Sequence, residues 1–320
     1  MGWNRSPAAL ESALELGAID EAVASVADLG DVDIAIASVS VDALPAIVGE
    51  LCEVAPRAVV TDVGSTKQAL VNAVAAQNFI GGHPLAGAEA TGVGHAREDL
   101  FDAATWYLTP RSQTPGVMYE RLAHFVAGLG AVPTAITPTD HDRLMAAISH
   151  LPHVVANLLV AQATEALGGE TLPATGPSFR DATRVAGSNP ALWAQIYAAN
   201  RVALDTEIGD LIRRLGEVRE LLHGADLAAW QDAAARQRRA LLDVGLAGGG
   251  PLREIRASVP NKPGVVAQLA LALGRAGINI TDMSLAPEAD NRTGVIALWV
   301  GAGDAERAIG LVGGLGYPAA

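Results

Sequence analysis

Short apolar runs ending in small polar residues alternate, early in the chain, with stretches whose apolar positions recur every three to four residues. Residues 33–39 (DIAIASV) and 58–63 (AVVTDV) read as strands, with a helix over 42–55 between them. That alternation predicts βαβ units and a parallel sheet, whose ligands sit beyond the carboxyl ends of the strands. From Thr139 the texture becomes helical. Thr139 and Asp142 predict a capping-box-like start. Leu144, Ala147, Ile148, Leu151, Val154, Val155 and Leu158 predict one broad buried face. Ser188-Asn189-Pro190 opens a further helix, and residues 192–242 hold little turn chemistry. Residues 245–251 (GLAGGGP) read as a flexible linker. Beyond it, strands over 253–259, 279–286 and 294–300 alternate with helices over 264–276 and 304–313, a small ferredoxin-like unit. The expected class is α/β, with domains over 1–137, 138–246 and 252–320.

Composition narrows what such a chain does. Only 4% of the 320 residues are aromatic, so Ala, Val and Leu must build the cores. A net charge of -13 leaves no basic patch to neutralise phosphates, which argues against nucleic acid as a partner. No uninterrupted apolar run reaches the roughly 20 residues that span a bilayer, and residues 1–6 lack a signal-like apolar core. The single cysteine, Cys52, forms no internal disulfide and suits a reducing cytoplasm. The apolar richness of the helical segment points to surface buried between two copies, a homodimer.

Four segments carry candidate chemistry. Residues 61–67 (TDVGSTK) follow a predicted strand; taken alone, Ser65 reads as a helix N-cap. Residues 81–87 (GGHPLAG) place His83 at the next strand's carboxyl end, where an imidazole titrating near neutrality suits acid/base work. In SHLPH, His150 and His153 share a helix face and Pro152 is expected to kink it. Zinc would need a further ligand, and no metal is expected. Arg184, flanked by Ala182, Val185 and Ala186, reads as partly buried and in need of an anion, such as a substrate carboxylate.

In this order, TDVGSTK, GGHPLAGAEATG, SHLPH and FRDATRVAGSNPALW resemble the prephenate/arogenate dehydrogenase family, and residues 252–320 resemble an ACT domain. The resemblance implies a Rossmann-like domain, a helical dimerisation domain and a regulatory ACT domain. It implies oxidative decarboxylation of prephenate to 4-hydroxyphenylpyruvate, with NAD or NADP taking the hydride. His83 matches the family's catalytic histidine and Ser65 the serine that orients it. Arg184 matches the arginine on the substrate carboxylate, and His150 and His153 match histidines of the same pocket. The cofactor is expected at Asn4, Arg5, Ser38 and Val39. A tyrosine or phenylalanine effector is expected at Asn261, Gly264 and Asn279.

The resemblance also implies a first strand and G-x-G-x-x-G turn, roughly 30 residues, which would precede Met1. The Rossmann domain is therefore expected to be truncated at its first β-α unit and to bind cofactor poorly, a longer product being the active one. Asn4-Arg5 in place of a ribose-binding acid favours NADP without excluding NAD. Arogenate dehydrogenase, a generic hydroxyacid dehydrogenase and a catalytically inactive amino-acid sensor are the alternatives.

Overall fold

The computed structural model describes residues 1–87, 92–168, 175–224, 226–243, 251–288 and 292–320. The linker at 245–250 and residues 88–91 of the histidine segment lie outside the described residues. Two compact units emerge, Met1–Val155 with Gly187–Arg213, and Ala156–Ala186 with Arg214–Ala320.

The first unit opens with α1 (Pro7–Glu15), capped by Ser6, and continues through β1 (Ile34–Ala37), α2 (Leu44–Val54), β2 (Val59–Asp62), α3 (Gln68–Ala73) and β3 (Phe79–Pro84). β4 (Thr105–Thr109), α4 (Gly116–Gly128) and β5 (Val132–Ala135) complete a five-stranded sheet of order β1-β2-β3-β4-β5. All four residues of β2 are buried, Val60 joining the core under α2 and Val59 the core under α4. Leu44, Val48, Leu51 and Cys52 turn one face of α2 onto the sheet.

The expected parallel sheet needs a correction. β1, β2 and β3 are parallel to one another, but β4 runs antiparallel to β3. Parallel return needs a crossover, usually a helix. The described part of the β3–β4 connection holds only a short 3-10 turn, Val93–His95.

α5 (Pro138–Met145), a π-turn (Ala146–His150), α6 (Leu151–Ala166), α8 (Pro190–Ala199) and α9 (Arg201–Leu221) follow, with α7 (Pro177–Thr183) preceding α8. Three expectations change here. Thr137, not Thr139, caps α5, exchanging hydrogen bonds with Asp140, and Asp142 points inward instead. The irregularity expected at Pro152 is the π-turn just ahead of it; Pro152 has no N–H for the Ile148 carbonyl. That wider turn shifts the helical phase, so Met145, Ala146 and Ala156 are buried while Ile148 and Leu158 are 57% and 59% exposed.

The continuous helical stretch Pro138–Ala166 is also long and apolar enough, by length and composition, to cross a membrane. The count of uninterrupted apolar residues misses it because His141, Asp142, Arg143, His150 and His153 interrupt the run. Its first half carries the buried polar residues His141, Asp142 and His150.

The second unit includes α10 (Leu227–Asp243), then β6 (Leu252–Pro260), α11 (Val265–Arg275), β7 (Ile280–Pro287), β8 (Thr293–Gly301) and α12 (Ala305–Gly314). Its antiparallel sheet has the order β6-β8-β7. Ala320 exchanges backbone hydrogen bonds with Arg256, adding a terminal segment along the outer edge of β6. That is the ferredoxin-like topology, with Val265, Leu269 and Leu273 of α11 and Ala305, Ala308 and Val312 of α12 filling one core.

Candidate active site

The TDVGSTK segment leaves β2 under the control of one carboxylate. Asp62 accepts from Gly64 N at 2.8 Å and from Gly82 N at 3.0 Å, and pairs with the ammonium of Lys67. Both charged side chains are fully buried. Burial pulls Lys67 below the ordinary lysine range, while Asp62 and then Asp142 oppose that shift. The ion pair therefore ties the end of β2, the Ser65 turn and β3 together. Ser65 is not the cap of α3. Asp142 takes that place from elsewhere in the sequence, accepting Lys67 N at 2.7 Å and Gln68 N at 2.9 Å.

His83 stands near the end of β3 because two glycines precede it. A Cβ on Gly82 would lie 2.5 Å from the Asp62 carbonyl oxygen, and one on Gly81 2.5 Å from Thr109 Oγ1. The close approach of β3 to its neighbours thus requires both. His83 Nδ1 lies 2.8 Å from His141 Nε2, and His141 Nδ1 lies 2.8 Å from Asp142 Oδ1. Burial first, then His141, Lys67 and His150, lower His83 to about 2, so its imidazole is neutral. His150 is lowered to about 4, mainly by burial, with Asp142 opposing.

Ser65, His83, Ser149, His150, Met145 and Trp193 line one cavity of about 230 Å³. That is smaller than sites for drug-sized ligands, about 300–1,000 Å³, and suits a compact molecule. It offers a hydroxyl, a neutral imidazole acceptor and an aromatic wall. His153 stacks on Trp193 with ring centroids 3.4 Å apart, outside the residues lining the cavity. Arg184 begins a short 3-10 turn in the second unit and is exposed, not partly buried as expected, because that turn gives it little cover.

A second cavity of about 490 Å³ lies beside β1 and its carboxyl end. Asn4, Arg5, Ser38, Val39 and Ser40 border it over an apolar floor that includes Val26, Leu29 and Ile47, and none of the residues lining it is acidic. Asn4 Oδ1 accepts from Ser6 N, which leaves its amide hydrogens for a ligand. The donors and the cation fit the phosphorylated or hydroxylated ribose of a dinucleotide. In the second unit, Asn261 and Gly264 share the turn between β6 and α11, with Gly264 at φ 92, and Asn279 directly precedes β7. No cluster of potential metal ligands occurs among the described residues.

Sequence reasoning missed His141, Asn200 and the true work of Asp142. An adjacent His-Asp pair just ahead of an apolar helical run is the available signal. The acid reads more simply as a helix cap, which leaves the imidazole beside it with no role of its own.

Residues 1–134 match the profile of the nucleotide-binding domain of prephenate dehydrogenase, and residues 137–232 that of its dimerization domain. The chain is 29% identical over 300 residues to the prephenate dehydrogenase of Bacillus subtilis (strain 168), covering 90% of this chain and 81% of the relative. It is similar to the crystal structure of prephenate dehydrogenase from A. aeolicus in complex with hydroxyphenyl propionate and NAD+. The TM-score is 0.69 at 28% identity, over 75% of this chain and 88% of that one. Synechocystis arogenate dehydrogenase matches with a TM-score of 0.64 at 29% identity, over 73% of this chain and 87% of that one.

Proposed function

The chain belongs to the prephenate dehydrogenase family, and from that premise we propose that it converts prephenate to 4-hydroxyphenylpyruvate by oxidative decarboxylation. The observation that carries the reading is the meeting of Ser65, His83 and His150 at one small cavity. Neutral His83 takes the proton of the substrate's C4 hydroxyl, and Ser65 orients both partners. A bound nicotinamide supplies the hydride acceptor for C4. His83 returns the proton to the phenolic oxygen once carbon dioxide has left its bonding pair in the ring, so protons balance. His150 donates toward a substrate oxygen, with His153 and Trp193 supporting the wall. Arg184 holds a substrate carboxylate, the task for which a guanidinium is suited.

Asn4, Arg5, Ser38 and Val39 hold the adenosine side of NAD or NADP, and Arg5 without an acidic neighbour in the cavity favours a 2′-phosphate. The chain works as a homodimer in the cytoplasm; the dimerization-domain match supports the pairing, as do Ile212 and Leu215, which are 64% and 58% exposed. Residues 252–320 act as an ACT module that binds tyrosine or phenylalanine at Asn261, Gly264 and Asn279, supported by their ferredoxin-like topology. The arogenate dehydrogenase among the similar structures makes arogenate the competing substrate.

Initial rates of nicotinamide reduction with both substrates and both cofactors test the reading. Turnover of prephenate with a high KM for the cofactor is expected; none with either substrate at saturating cofactor would overturn it. Arg184→Gln is expected to raise KM more than it lowers kcat. Calorimetry of the full chain with each amino acid tests the effector, and absence of heat with both would remove it.

A further inference from the structure

The two histidines of the cavity are each backed by a chain of hydrogen bonds, and both chains end on Asp142. On one side, both Asp142 carboxylate oxygens already accept backbone N–H groups, from Lys67 and Gln68. An acceptor so committed receives, and does not give, a proton at its third contact, so His141 Nδ1 donates. His141 is fully buried, and in its neutral form the one ring proton is the one on Nδ1. Its Nε2 then accepts from His83 Nδ1–H at 2.8 Å, and His83 Nε2 keeps a free lone pair.

On the other side, Asn200 Nδ2 lies 2.7 Å from the backbone oxygen of Asp142 and 3.1 Å from His150 Nδ1. A carbonyl oxygen only accepts, so the Asn200 atom facing it is the amide nitrogen. Its second hydrogen goes to His150 Nδ1, and His150 carries its proton on Nε2. Asn200 is itself buried, at 4% exposure, which holds the amide in this orientation.

We propose that His141, Asp142 and Asn200 are positioning residues that set opposite tautomers on the two cavity histidines, making His83 an acceptor and His150 a donor. A ligand bearing a hydroxyl at one end and an oxyanion at the other meets complementary groups without any proton being moved on binding. The consequence for turnover rests on the reading of His83 as general base; the tautomers themselves do not.

The test uses the full chain labelled with 15N-histidine, its NMR signals assigned by their loss in His83→Asn and His150→Asn. At neutral pH the expected pattern is Nδ1–H on His83 and Nε2–H on His150. The reverse tautomer at either ring, or a doubly protonated ring, overturns the proposal whether or not prephenate is turned over. Kinetics supply a second arm. His141→Phe is expected to lower kcat roughly 10²-fold with KM little changed, and His141→Gln, whose Oε1 accepts from His83 Nδ1–H, to recover much of the loss. A folded His141→Phe with wild-type kcat overturns it too. Should that variant not fold, Asn200→Asp decides: a carboxylate there draws the proton of His150 to Nδ1, read directly by NMR and as a raised KM. An unaltered His150 signal would refute the Asn200 link. An inactive wild type with the expected tautomers would instead sink the functional reading alone.

Discussion

Adding a single methyl group at Gly82 is the sharpest test of how the site is held. The new Cβ would lie 2.5 Å from the Asp62 carbonyl oxygen, 2.7 Å from Thr61 Oγ1 and 3.0 Å from Trp106 Nε1. Two of these neighbours are backbone or short side chain, so β3 itself must move away from β2. Overpacking of this kind costs about 1–3 kcal/mol. The movement also stretches the 3.0 Å bond from Gly82 N to Asp62. Loss of a hydrogen bond to a charged group costs about 1.5–3 kcal/mol more. Gly82→Ala is therefore expected to lose roughly 3–6 kcal/mol out of a total of about 5–15 kcal/mol. Urea unfolding followed by circular dichroism measures it. Gly87→Ala, where an added Cβ meets nothing within 4 Å, serves as the control. Residual folded Gly82→Ala is also expected to turn over slowly, because His83 moves with its strand. A Gly82→Ala chain within about 1 kcal/mol of wild type would refute the claim that close strand approach builds the site.

His83→Asn is expected to lower kcat by roughly 10²–10⁴-fold with KM little changed; initial rates showing only a raised KM would make it a binding group. Burial holds His83 and His150 at about 2 and about 4, below the ordinary 6.5. The unfolded chain thus binds more protons below pH 6.5. Stability is full above that value and falls toward pH 4 by about 1.4 kcal/mol per pH unit for each histidine. His150→Asn should flatten thermal melts across that window, and an unchanged slope would count against the burial argument. Asn189 accepts Ala191 N and Leu192 N at the start of α8, so Asn189→Ala is expected to cost about 1 kcal/mol in a urea melt. Burial pushes the Cys52 thiol up to about 11, so it should resist a thiol reagent until the chain unfolds.

Much of this architecture is legible from spacing. The periodicity over 264–276 and its flanking strands mark the ferredoxin-like unit because Val265, Leu269 and Leu273 recur at helical spacing over a single core. Ser65 and His83 are legible because strand ends in α/β sheets are where ligands sit. The antiparallel turn into β4 is hidden because nothing local in TWYLT states which way its partner runs. The phase of α5 and α6 is hidden for another reason: a π-turn adds a residue that no 3.6-residue period anticipates. Asp142 was readable as an acid but not as the cap of α3, since the contact joins residues 75 apart. Arg184 is proposed on its chemistry alone, and its neighbours in sequence give a false impression of cover.

The long reach of Asp142 also sets an order of assembly. A nascent chain complete through Thr137 has all five strands, Ser65 and His83, yet nothing behind the imidazole to hold its proton. The first turn of α3 would be bare as well. Synthesis must pass Asn200 before the second imidazole is set. Chemical competence therefore arrives late and through distant contacts, so a translation product stopped before α5 is complete would own its base without the power to use it.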